Sequence, residues 1–224
     1  MSVGTGLRER KKQQTRQLLE RTAQRLFTER GFEQVSVAEI AKTADVSEAT
    51  VFNYFPTKED LVYGRMQTFE DDLLRAVRQR PAGEPVLAAF GRFILQPRGL
   101  LAATTDDAAE ELANLSRMIA NSPALLRREA QILARYTDAL ASLITDETGA
   151  SRDDPRPWTT ANALVGVHRA VLAFVRRRLL AGQRGVPDLA RVVRSHGETA
   201  LAFLAQGLGD YAPKPDAGPP GHDR

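Results

Sequence analysis

The sequence contains no cysteine. A disulfide framework and a thiolate metal site are thereby excluded, nothing argues for an oxidising compartment, and the cytoplasm is the expected location. Long apolar runs are missing as well. No stretch approaches the ~20 consecutive apolar residues that span a bilayer, and Met1 to Gly6 lead into charged residues rather than an apolar signal segment, so no membrane partner is expected. Catalytic motifs are absent too. The three histidines, His168, His196 and His222, are scattered, and there is no HExxH, no Gly-x-Ser-x-Gly and no glycine-rich phosphate loop after a strand. Acidic pairs such as Asp71-Asp72 and Asp106-Asp107 fall at helix starts or faces, where they complement the helix dipole or face water. An enzyme on a helical scaffold is therefore disfavoured, and neither a cofactor nor a metal is expected.

Strand-like alternation is also lacking, and what stands in its place is helical spacing along almost the whole chain, so the fold class is all-α. With 224 residues, 42% hydrophobic and 26% charged, most of the chain can bury a core. The first helix is predicted over 11–30, with Leu18, Leu19, Thr22, Ala23, Leu26 and Phe27 forming one apolar stripe and Gly31 stopping it. Ser36-Val37-Ala38-Glu39 is a capping box that opens a short second helix. Ser47 caps a third over 48–54, which makes a helix-turn-helix. Pro56 ends the third helix and Thr57 caps a long fourth over 58–77; after the break at 80–85, helices follow at roughly 86–95, 106–121, 124–148, 158–182 and 188–208.

Charge is unevenly spread. Arg8, Arg10, Lys11, Lys12, Arg16, Arg21, Arg25 and Arg30 face only Glu9, Glu20 and Glu29 in the first thirty residues, a surplus larger than the +3 of the whole chain. Such a segment suits an anionic partner, nucleic acid before membrane. The expected organisation is a flexible basic arm at 1–10, a helix-turn-helix DNA-binding domain at 11–57, a helical effector-binding and dimerisation domain at 58–210 and a disordered proline-rich tail at 211–224. Arg8, Arg10, Lys11 and Lys12 could lie along phosphates or enter the minor groove.

Residues 11–62, through LFTERGFEQVSVAEIAKTADVS and EATVFNYFPTKEDLV, resemble the DNA-binding domain of the TetR family of transcriptional regulators. Gly31-Phe32 after the first helix, Ala41 and Val46 around the turn, Thr50, Phe52-x-Tyr54-Phe55 and Lys58 carry that resemblance. Ile40, Val46, Val51 and Phe55 read as core, which leaves Ser47, Glu48, Ala49, Thr50, Asn53 and Tyr54 on the outer face of a helix short enough for the major groove. The resemblance implies that Thr50, Tyr54 and Lys58 hold phosphates while Glu48, Ala49 and Asn53 face bases; Ser36 and Ser47, at the two helix starts, complete the candidate DNA-binding set. In chemical terms, Asn53 suits adenine, Glu48 suits cytosine N4, and the Ala49 methyl suits a thymine methyl. Phe52 replaces a tyrosine that many relatives carry, which removes one hydroxyl contact to the DNA backbone.

One helix-turn-helix covers few base pairs, so two copies about 34 Å apart on an inverted-repeat operator are expected. The resemblance implies a homodimer formed by the last two long helices. Those helices carry Leu164, Val165, Val167, Val171, Leu172 and Val175, then Leu189, Val192, Val193, Leu201, Leu204 and Leu208, which serve core or interface equally well. It further implies a pocket for a small, largely apolar effector, with Met66, Phe69, Phe90, Phe93, Leu112, Met118 and Tyr136 as candidate lining. The expected function is a sequence-specific DNA-binding regulator, a repressor released by that effector. An activator and a ligand-independent regulator remain open alternatives.

Overall fold

The computed structural model describes residues 3–97, 106–182, 186–208 and 213–214. Among these residues nine helices follow in order: α1 (Val3–Arg30), α2 (Val37–Thr43), α3 (Glu48–Tyr54), α4 (Asp60–Arg78), α5 (Val86–Ile94), α6 (Asp106–Asn121), α7 (Pro123–Thr148), α8 (Arg156–Leu180) and α9 (Val186–Leu208). The fold is all-α, and one isolated antiparallel bridge, Pro85 to Pro213, is the strand-like pairing among the described residues. None of their helices is long and apolar enough to cross a membrane.

The expected stripe of α1 buries Leu19, Thr22, Ala23, Leu26 and Phe27, while Leu18 at its edge stays exposed. Gly31 ends the helix in the left-handed region at φ 86°, where a Cβ would be strained. Phe32 then folds back until its ring lies 5.0 Å from that of Phe27. α1 begins at Val3, inside the segment expected as a basic arm. Once the buried stripe has nucleated the helix, extension back through Leu7, Arg8, Glu9, Arg10 and Lys11 costs little. The start of α4 differs in the other direction. Both the amide and the hydroxyl of Thr57 donate to the Asp60 carboxylate, and the helix begins at Asp60.

By contacts the chain divides into two compact units, Met1–Thr68 with Arg117–Glu129, and Phe69–Ser116 with Ala130–Arg224. In the first, the corner between α6 and α7 joins the helix-turn-helix through three long-range bonds. Tyr63 donates its hydroxyl to the Leu125 carbonyl at 3.1 Å, Ser122 to Glu33 at 2.6 Å, and Arg128 pairs with Asp60 at 2.7 Å. This grouping differs from a division at residue 57, since the early turns of α4 and residues 117–129 belong with the head.

In the second unit, α5, α8 and α9 pack on one another. Val167, Val171, Val175, Leu179 and Leu189 form a buried cluster with Ala113 of α6. Arg80 is almost fully buried yet satisfied: it pairs with Glu147 at 2.7 Å and donates to the carbonyls of Val77 and Glu84. Part of the segment expected to be disordered is anchored beside it. The Gly83 amide donates to the Lys214 carbonyl, the Lys214 amide to the Glu84 carbonyl, and the Lys214 ammonium to the Arg78 carbonyl. The remainder of 211–224 lies outside the described residues.

Candidate nucleic-acid interface

Two caps set the reading head. The Ser36 hydroxyl accepts the Glu39 amide at 3.2 Å while the Glu39 carboxylate accepts the Ser36 amide at 2.9 Å, so both ends of the capping box are made. That amide, followed by the Arg30 guanidinium 2.8 Å away, holds the Glu39 carboxyl below its ordinary pKa. Between α2 and α3 the chain turns through Asp45 at φ 55°, a conformation that Asp tolerates better than branched residues, and the Val46 amide closes on the Ala41 carbonyl. Ser47 then caps α3, accepting the Thr50 amide at 3.1 Å, with its hydroxyl 2.8 Å from that of Thr50.

The two faces of α3 are chemically opposite. Val51 and the following Phe55 are each 1% exposed, and with Ile40 they fix the helix on α2 and α1. Val46, expected in that core, is only half-buried. Glu48, Ala49, Phe52 and Asn53 face outward, and Thr50 and Tyr54 are half-buried at the flanks. Arg8, Arg10, Lys11 and Lys12 are all exposed along the first turns of α1. Lys58 sits differently from a free surface lysine. Its ammonium lies 4.2 Å from the Phe32 ring centroid, and partial burial lowers its pKa.

Some supporting groups had no local signal. Arg16 lies with its guanidinium 4.9 Å over the Phe55 ring and donates to the Gly64 carbonyl at 2.9 Å, linking α1, the end of α3 and α4. Only the fold brings these residues together. Phe52 is 46% exposed, an apolar ring left among polar neighbours on the outer face.

The seven candidate effector residues fall in both units. Met66 and Met118 fall in the unit that holds the head. Leu112 packs against the buried cluster of α8 and α9, and Phe90 is fully buried in α5. Phe69, Phe93 and Tyr136 do converge, with the Phe69 ring 5.2 Å from Phe93 and 6.1 Å from Tyr136. A fourth ring completes them. His168 stacks on Phe69 at 4.9 Å, a partner that sequence spacing did not distinguish. Burial pushes the His168 imidazole down to about 4, and burial followed by the nearby Glu70 charge pushes the Tyr136 phenol up.

Comparison with known proteins agrees with this architecture. The profile of bacterial regulatory proteins of the tetR family matches residues 20–63. The HTH-type transcriptional regulator TcmR of Streptomyces glaucescens is 32% identical over 182 residues, 78% of this chain and 76% of that protein. The transcriptional regulator LuxR of Vibrio harveyi is 53% identical over 47 residues, 21% of this chain and 23% of its own. Solved structures share the fold at lower identity. Salmonella enterica GusR superposes with a TM-score of 0.51 at 18% identity, covering 87% of this chain and 95% of that one. The SmeT–triclosan complex gives 0.52 at 16% identity, covering 94% and 99%. With a helix-turn-helix that matches the family profile and a relative similar over three quarters of both chains, this protein belongs to the tetR family of bacterial regulatory proteins and is a DNA-binding transcriptional regulator.

Proposed function

We propose that the protein is a cytoplasmic repressor that binds an inverted-repeat operator as a homodimer and is released from it by a small, largely apolar effector. The observation that carries the DNA reading is the polarity of α3, whose inner face is closed by Val51 and Phe55 while Glu48, Ala49 and Asn53 face outward. A rigid short helix with small and polar outward groups fits the major groove, where base edges differ in donors and acceptors. Asn53, Glu48 and Ala49 read bases. Thr50, Tyr54, Lys58, Ser36 and Ser47 hold the flanking phosphates, and Arg8, Arg10, Lys11 and Lys12 add contacts from the first turns of α1. The convergence of Phe69, Phe93, Tyr136 and His168 supports an apolar effector that favours the population unable to bind operator.

Selection from random duplex DNA at about 150 mM salt, where non-specific phosphate contacts are weak, tests the DNA reading. An inverted repeat should be enriched by the native chain, and Tyr54→Ala should bind that repeat more weakly without changing its sequence. Weak, steeply salt-dependent binding with no enriched motif would rule out a specific operator. A promoter carrying the selected repeat should then be less active in the presence of the protein, and higher activity would reverse the sign of regulation.

A further inference from the structure

We propose that the cluster of Phe69, Phe93, Tyr136 and His168 binds a flat aromatic molecule bearing one neutral hydroxyl, with Nδ1 of His168 as its hydrogen-bond anchor. Four helices, α4, α5, α7 and α8, each contribute one ring. His168 is 6% exposed, and its Nδ1 has no hydrogen-bond partner among the described residues. On the buried face of α8 its neighbours Leu164, Val165, Val167 and Val171 are all apolar. An imidazole there leaves an unmade hydrogen bond that a leucine or phenylalanine of similar size would avoid. A ligand that completes the bond accounts for the imidazole.

The surroundings select the chemistry of that ligand. Buried among rings, the imidazole stays uncharged at neutral pH and offers an anion no counter-charge. The buried carboxylate nearest the cluster in sequence, Glu70, is already paired with Arg135 at 2.8 Å, so a cationic ligand would find no free partner there. A hydroxyl satisfies Nδ1 in either tautomer, since it can donate to the bare nitrogen or accept from its N–H. The rings select the body of the molecule. Phe69 is only half-buried and already holds two flat partners, His168 and Tyr136, in stacked arrangements and a third, Phe93, edge-on, the two geometries that aromatic pairs prefer. Such a site is where the effector of the proposed repressor binds, and to that extent it rests on that reading.

Calorimetric titration of the full chain with 2-naphthol and with naphthalene isolates the hydroxyl. The native protein should bind 2-naphthol about tenfold more tightly, the gain from one completed buried hydrogen bond. His168→Phe should bind the two equally. Because that variant could fold poorly, nitrogen NMR of the native protein gives a second readout: the Nδ1 resonance of His168 should shift with 2-naphthol and stay with naphthalene. No binding of 2-naphthol, equal affinity for the two compounds, or a preference retained in a folded His168→Phe overturns the assignment. The two readings can fail separately. Release of operator by a screened compound that binds His168→Phe unchanged would overturn the site and leave the repressor standing, whereas 2-naphthol bound at His168 without effect on operator affinity would support the site and count against its role in release.

Discussion

Side chains on α3 divide into those that carry sequence information and those that carry only affinity, and substitutions can separate the two. Asn53 is exposed on the outward face, so Asn53→Ala should relax preference at one base of each half-site and weaken the best operator roughly tenfold, read from repeated selection and direct titration. Lys58→Ala should weaken all sequences alike and lower the salt slope by about one for each protomer, because a phosphate contact reports charge and not base identity. A wholly different residue sets acid sensitivity. The buried His168 has its pKa lowered from the ordinary 6.5 to about 4, so between those values the unfolded chain takes up a proton that the folded chain refuses. Stability on this account is full above pH 6.5 and falls as pH drops toward 4. Between pH 7 and pH 5 the native chain should lose about 2 kcal/mol more than His168→Phe, measured by urea unfolding at each pH. An equal loss in both would mean that the imidazole is solvated.

Among the elements, α4 is placed by contact rather than by propensity, and Gly64 is where its position is most constrained. A Cβ there would come within 2.9 Å of the Phe55 ring, which is 1% exposed and cannot swing aside, and 2.7 Å of the Glu20 carboxylate. Gly64→Ala should therefore cost about 1–3 kcal/mol in thermal unfolding despite the better helix propensity of alanine. Operator affinity should fall with it, since Phe55 closes α3. Little of this can be read from the chain, whereas the caps can: Ser36 with Glu39 and Ser47 before α3 depend on residues three apart, and the bounds of α5 to α9 follow from local breakers and apolar spacing. Bonds such as Tyr63 to Leu125, Ser122 to Glu33 and Arg128 to Asp60 join residues some sixty to ninety apart and leave no local pattern. The same limit explains Lys214 against Glu84, and the split of the seven effector candidates, where aromatic and methionine residues at helical spacing look alike whichever core they enter.

For the whole molecule, the decisive quantity is how much apolar surface α8 and α9 keep after packing within one protomer. Leu164, Val165, Val167, Val171, Val175 and Leu189 are all buried in the single chain, so they are core and leave nothing for a second copy. Val193, Leu201 and Leu204 pack partly against the same cluster. Phe203 is different: it is 74% exposed on α9, a large ring that a lone protomer would leave in water. If two copies pair through these helices, as proposed, Phe203 is the most exposed of their large apolar side chains, ahead of Trp158 and Leu180 on α8. Phe203→Asp should then convert a dimer to a monomer in analytical ultracentrifugation while leaving the unfolding of the protomer nearly unchanged, because the residue supports no internal packing. Operator binding should fall by at least about a hundredfold, since one head alone reads only half of an inverted repeat. A variant that stays dimeric and keeps its operator affinity would move the interface elsewhere on the protein, whereas loss of folding would assign Phe203 to the core of its own chain.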